Sequence, residues 1–240
     1  MLRRVKTVRT VWNPNAAQTR LDANRAPRHR TPMTTDARRF APAVASNRDA
    51  LLAVLRPRLP RTGLVLEVAS GTGEHLAALA ALTPDLLFQP TDPDAESRAS
   101  VDAWARHLAA GNMHPALMLD AAAPEGWPVT RADAVLCVNM IHIAPWTATL
   151  GLLRGAARVL PPGAPLFLYG PFRRGGAHTA PSNAAFDESL RARDPAWGVR
   201  DLEAVAEAAV AAGLTAPEIV TMPANNLVVT FRRASADGSA

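Results

Sequence analysis

The sequence predicts an α/β protein: a mostly parallel sheet with helices on both faces and an antiparallel strand at the C-terminal end. Three observations carry this. From residue 46 onward, short apolar runs alternate with stretches of helical spacing, as in sheets covered on both sides. A glycine-bearing loop, Ser70-Gly71-Thr72-Gly73, joins the first run to the helix after it. The last two runs follow one another directly through Pro-Ala-Asn-Asn, which is a hairpin signal.

Taken in order, Ser46 and Asp49 resemble a capping box, and Leu51, Leu52 and Leu55 mark one face of a helix that ends near Pro57. Leu64 to Ala69 reads as the first strand, Glu74 to Leu82 as a helix, and Leu87 to Thr91 as the second strand. Asp94 is placed to cap the next helix, which carries Val101, Trp104 and Leu108 and stops at Gly111. Ala116 to Leu119 reads as a short third strand and Ala134 to Val138 as a fourth. A helix with Leu150, Leu153, Ala157 and Leu160 leads to a fifth at Leu166 to Tyr169. Residues 171–198, rich in Gly, Pro and Arg, read as a loop over the strand ends, where such sheets bind ligands. A helix with Leu202, Val205 and Ala209 closes at Gly213. The hairpin of Glu218 to Met222 and Leu227 to Phe231 then brings the expected count to seven strands.

The 240 residues are 48% apolar and 20% charged, enough for one sizeable core. Residues 1–32 carry a net +7 of the total +5, leaving −2 on residues 33–240, read as the folded domain, so that domain is not expected to bind nucleic acid. The first 32 residues lack helical or strand periodicity and read as a disordered basic extension. Their composition fits a start assigned too early, with Met33 as the true first residue. It also fits a targeting segment, although Pro14, Pro27 and Pro32 discourage the amphipathic helix such segments form. Lys6 is the only lysine, which excludes P-loop, protein-kinase and pyridoxal Schiff-base chemistry. Cys137 is the only cysteine, and the histidines show no ligand spacing. No disulfide or zinc site is expected, and a reducing cytoplasm is the simplest setting. No apolar run approaches the ~18 residues of a membrane span.

The informative stretch is Val65 to His75, VLEVASGTGEH. The dinucleotide fingerprint G-x-G-x-x-G fails there, because Leu76 stands at the third glycine position, which weighs against an NAD-type oxidoreductase. The stretch resembles instead the E/D-x-G-x-G-x-G loop of S-adenosylmethionine-dependent methyltransferases, with Ala69 at the first glycine and Ser70, Gly71 and Gly73 beside the cofactor. Glu67 is a carboxylate in an apolar strand and needs a partner, either a cationic cofactor or backbone N–H groups. Asp92 lies 19 positions after Gly73, at the end of the next strand, where an acid can accept both ribose hydroxyls. Asp120, with Ala121 beside it, can accept from the adenine amino group or simply end a strand. Asn139 closes strand four next to the glycine loop, where the reacting methyl would lie. His142 is the candidate base, or a buried histidine bonded to a carbonyl. Tyr169 is a candidate orienting hydroxyl.

Over residues 38–233, the order SNRDALLAVL, LEVASGTGEH, FQPTD, LD, VNMIHIAPW, LYGPF, SNAAFDESLRARDPAWGVRD and MPANN resembles a small family of uncharacterised methyltransferase-like proteins. The resemblance implies a Rossmann-like class I methyltransferase fold and S-adenosyl-L-methionine as cofactor; it does not name the methyl acceptor, for which a small molecule is expected. It also implies that Asn47 and Arg48 face the cofactor and that Tyr169, Asn183 and Phe186 face the substrate. Ser46 stands where the family usually has Glu. A protein that binds the cofactor without turnover fits the same motifs.

Overall fold

The computed structural model describes residues 36–235; the basic segment 1–32 and Met33 lie outside the described residues. The main sheet runs in the order β2-β1-β3-β4-β8-β7. Its strands are β1 (Gly63–Val68), β2 (Leu86–Thr91), β3 (Ala134–Val138), β4 (Pro165–Pro171), β7 (Glu218–Thr221) and β8 (Asn226–Arg232). β1 pairs in parallel with β2 and β3, and β3 with β4, while β8 is antiparallel to both β4 and β7. β4 is buried along its whole length, in keeping with its LFLY run.

One expected strand is missing, so the sheet has six strands instead of seven. The segment around Ala116 to Leu119 touches the outer edge of β2 only at two isolated bridges, Phe88 to Met113 and Thr91 to Leu117. Pro90 in β2 has no N–H to donate between them, and the Ala116 N–H that would donate back goes instead to the Asp102 carboxylate at 2.9 Å, so the ladder is interrupted. The Gln89 amide fills the gap, donating to the carbonyls of Pro115 at 2.9 Å and Pro90 at 3.0 Å.

Two layers of helix cover the sheet. α1 (Pro42–Leu55) and α2 (Glu74–Leu82) bury Leu51, Leu52, Leu55, Leu76 and Leu79 against Val65, Phe88, Phe167 and Tyr169. On the other face, α4 (Trp146–Val159) and α6 (Leu202–Ala211) pack Leu152, Leu153, Val205 and Ala209 against Leu66, Leu166 and Leu168. α3 (Ala95–His107) starts at the predicted cap, where the Asp94 carboxylate accepts from the Ser97 N–H at 2.8 Å. α1 starts one turn earlier than its sequence suggests. Pro42 opens the helix, and the Ala41 N–H just before it donates to the Glu74 carboxylate at 3.0 Å, so Ser46 and Asp49 lie inside α1 and do not cap it.

Residues 171–198 are not a loop. They hold a short hairpin, β5 (Arg173–Arg174) with β6 (Ala177–His178), and a thirteen-residue helix, α5 (Pro181–Arg193). Two of the three residues α5 buries are polar, Asn183 and Asp187, which is why apolar periodicity does not reveal it. Asp187 is the hub of this region: its carboxylate accepts from the Val199 N–H at 2.7 Å and Arg191 at 3.1 Å, with His178 at 3.4 Å. Burial works against the charge, but the Val199 and Arg191 bonds hold the Asp187 carboxyl below the usual carboxylate range. Arg200 ties the region to the turn after β3, donating to the carbonyls of Ile141 at 2.9 Å and Ala144 at 2.6 Å. Among the described residues, no helix is long and apolar enough to cross a membrane.

Candidate functional site

The loop between β1 and α2 turns through left-handed backbone at alternate positions, with φ of 61° at Ala69, 58° at Gly71 and 88° at Gly73. At Gly73 no side chain is tolerated, since a Cβ would lie 2.7 Å from the Val101 Cα. Ala69 accepts the strained conformation without being glycine. The loop is tied to the end of β2: Ser70 N–H donates to the Thr91 carbonyl at 2.8 Å, and Thr91 N–H to the Ser70 hydroxyl at 3.2 Å. Asp92 completes the clamp, accepting from Gly71 N–H and Asp94 N–H, each at 2.9 Å. It is only 6% exposed, and burial raises its carboxyl above the usual range.

Three adjoining cavities open along the C-terminal ends of the parallel strands, where open α/β sheets bind ligands. The first, about 300 Å³, is mostly apolar and includes Val68, Leu119, Asp120, Ala121 and Met140. Asp120 is exposed at its edge, one oxygen accepting from Ala122 N–H at 2.8 Å. The second, about 450 Å³, is walled by Glu67, Ala69, Ser70, Gly71, His75, Asp92 and Asn139. The third, about 600 Å³, lies between α1 and α5 and is lined by Asn47, Asn139, Asn183, Phe186, Arg193 and Asn226 among others. Ala69, Pro93, Met140 and Ala144 belong to both the first and the second cavity. Ala41, Asn139 and Ile143 belong to both the second and the third. Asn139, at φ 61° and bonded through its N–H to the Tyr169 carbonyl at 2.8 Å, therefore stands at the junction.

Glu67 is the unusual group in the second cavity. It is 2% exposed, and its Oε2 has no hydrogen-bond partner. Burial pushes its carboxyl up to about 8, against a bond from Ser70 and with the help of the Asp92 charge nearby. A cavity holding two buried carboxylates and no lysine or arginine suits a cationic ligand.

The structure separates the remaining sequence-predicted residues. Asn47 reaches across α1 to α2, its Oδ1 2.8 Å from His75 Nε2, which fixes the proton on that nitrogen because an amide oxygen only accepts. Tyr169 is buried and lines none of the three cavities, unlike the substrate-facing position expected of it; its hydroxyl is bonded by Asn47 and Asn226, and burial raises it above the ordinary phenol range. Asn183 is buried at the base of α5, donating to Thr179 Oγ1 at 3.0 Å and the Asn225 carbonyl at 3.1 Å. Phe186 shows 39% of its surface on the same wall. Arg48 lines neither the second nor the third cavity. Its guanidinium pairs with Asp49 at 3.0 Å.

His142 is also outside both cavities. It is fully buried, edge-on to Phe172 at 5.1 Å, with Nδ1 accepting from Arg200 N–H at 3.3 Å and Nε2 unpartnered. Burial, with Arg200 nearby, lowers it to about 3, so the ring stays neutral at ordinary pH. Gly170 leaves the room it needs, since a Cβ there would lie 2.5 Å from Nε2. Buried in this way, His142 lines none of the three cavities. Sequence reasoning missed His75, Asn226 and Arg193. The polar residues adjoining the glycine loop and the hairpin turn were the available signal for the first two.

A family model described as "Protein of unknown function (DUF938)" matches residues 38–233. Solved structures share the fold. An O-methyltransferase family protein from Burkholderia thailandensis is 18% identical, with a TM-score of 0.66 over 79% of this chain and 59% of its own. A methyltransferase of calicheamicin biosynthesis, in its SAH-bound form, is 20% identical, with a TM-score of 0.64 over 80% and 55%. An O-methyltransferase family 2 protein from Planctomyces limnophilus, in complex with apigenin, is 18% identical, with a TM-score of 0.63 over 77% and 60%. The chain thus spans somewhat more than half the length of these proteins. The six-stranded sheet with its antiparallel C-terminal strand is a class I methyltransferase fold. With most of its length matched by that model, the chain belongs to the DUF938 family.

Proposed function

We propose that the protein is an S-adenosyl-L-methionine-dependent methyltransferase acting on a small-molecule acceptor. The observation that carries this reading is Glu67, a buried carboxylate with an unpartnered oxygen, in the wall of the cavity beside the glycine loop. When bound, S-adenosyl-L-methionine supplies a methyl group on a sulfonium centre. Glu67 and Asp92 face the cationic and ribose portions, the apolar first cavity with Asp120 and Ala121 holds the adenine, and Asn139 stands where the methyl meets the acceptor. The chain's contribution is placement and exclusion of water, which in favourable systems supply ~7–11 kcal/mol of the barrier. No aspartate, glutamate or histidine is among the lining residues of the third cavity, so this reading assigns no proton-abstracting side chain. The same observation favours a second reading, a protein that binds the cofactor without turnover.

Thermal unfolding of the full chain with S-adenosylmethionine, S-adenosylhomocysteine or NAD tests the assignment. Ligand at 100 times its Kd stabilises by about 2.7 kcal/mol, or roughly 5–10 °C for a chain of this size. The first two ligands should raise Tm and NAD should not, and Asp92→Asn should erase the shift. A rise with NAD alone would overturn the reading.

A further inference from the structure

The second and third cavities carry opposite charge. The second holds Glu67 and Asp92 with no lysine or arginine, whereas Arg193 is the sole charged residue lining the third. Arg193 is not committed elsewhere in the way its neighbour is. Arg191 pairs with Asp187 at 3.1 Å, but Arg193, among the described residues, makes no ion pair with a carboxylate and lies over the Trp197 ring at 5.0 Å. Ser182, Phe186 and Arg193 stand within about 40° of one another around α5, so the cavity follows one face of that helix. The apolar part of the wall is Phe186 and Ile143, 39% and 42% exposed, with Pro171 and Pro223, beside the uncharged amides of Asn47, Asn139, Asn183 and Asn226. At about 600 Å³ the space is of small-molecule size.

We infer that the methyl acceptor is a small organic anion, with an apolar and preferably aromatic body against Phe186 and Ile143 and a carboxylate on Arg193. This rests on the reading of the third cavity as the acceptor site. An amine acceptor would bring a second cation into a space whose only charge is Arg193, whereas a carboxylate meets a planar, bidentate partner. The aromatic preference follows from Phe186, whose exposed ring has no aromatic neighbour among the described ring contacts.

The test is calorimetric titration of the full chain with three probes that share one ring and differ at one end: 4-hydroxyphenylacetate, 4-hydroxyphenylacetamide and tyramine. S-adenosylhomocysteine is titrated first and then kept saturating. The acid should bind at least tenfold more tightly than the amide, and the amine more weakly than either. Arg193→Gln, at an exposed position whose replacement is checked by an unchanged Tm, should bring the acid to the affinity of the amide. Equal or better binding of the amide or amine overturns the inference, as does an acid preference that survives Arg193→Gln, or failure of all three probes to bind. Failure of S-adenosylhomocysteine to bind defeats the methyltransferase reading itself. Its binding without an acid preference defeats the acceptor assignment alone.

Discussion

Ala69 holds a left-handed backbone that glycine adopts freely, and a Cβ there costs roughly 1 kcal/mol. Ala69→Gly should therefore raise stability by about 0.5–1 kcal/mol, read as a shift in denaturation midpoint at unchanged m-value; a loss of stability would mean the Cβ packs better than its φ suggests. Gly73→Ala should do the opposite, lowering the midpoint by about 2 kcal/mol or more, because positive φ and the Val101 backbone both oppose the new methyl. Glu67 makes a different prediction. With its carboxyl at about 8, the group is largely protonated at pH 7, and a bound cation should drive the proton off. Titration of S-adenosylmethionine near pH 7 in buffers of different ionisation enthalpy should report release of up to one proton, and Glu67→Gln should release none.

At the scale of elements, the region from β5 to residue 200 is held by a few polar residues rather than by an apolar stripe. Asp187 joins β6, α5 and Val199, and Arg200 fastens the far end to the turn after β3. Arg200→Ala removes donors from three carbonyls, those of Ile141, Ala144 and Ala196, and should cost about 2–3 kcal/mol. Arg200→Lys should restore only part of that, since an ammonium cannot reproduce the planar fork. Hydrogen exchange checks the location: the loss of protection should concentrate in residues 171–201, and uniform loss across the sheet would contradict this account. The same polar construction made α5 hard to read in the sequence, where an apolar face would have announced it. The lost strand at Ala116 has a cause visible only in pairs, because register turns the missing N–H of Pro90 toward this edge while the Ala116 N–H is taken by Asp102.

At the scale of the whole molecule, buried titrating groups on either side of neutrality shape the dependence of stability on pH. His142 and His75 are lowered to about 3 and about 4, so the unfolded chain binds more protons there. Their contribution is complete above about 6.5 and is lost as pH falls toward 3. Glu67 is raised to about 8, so its contribution is complete below about 4.5 and is lost as pH rises through 8. Stability without ligand should thus rise from pH 3 to about 6.5 and fall from there to about 8, and Glu67→Gln should remove that fall while steepening the rise between about 4.5 and 6.5. Denaturant titrations across pH 3–9 measure both limbs.

The sequence by itself determined the alternation of strands and helices, the glycine loop, the carboxylates at the ends of β1 and β2 and the closing hairpin. These are local patterns, written in periodicity, turn residues and short spacings, and each is decided within a few residues of itself. Only the tertiary structure decided which polar residues of the Asn139 to His142 stretch face a cavity. Asn139 and His142 are three residues apart in one turn, yet the first stands at the junction of two cavities and the second lines neither, lying edge-on to Phe172. The direction of each side chain there depends on Gly170, Phe172 and Arg200, which arrive from distant parts of the chain. Likewise Arg193 acquires its meaning from the carboxylates that do not surround it. The composition of a cavity is set by elements far apart in sequence, and no local pattern records it.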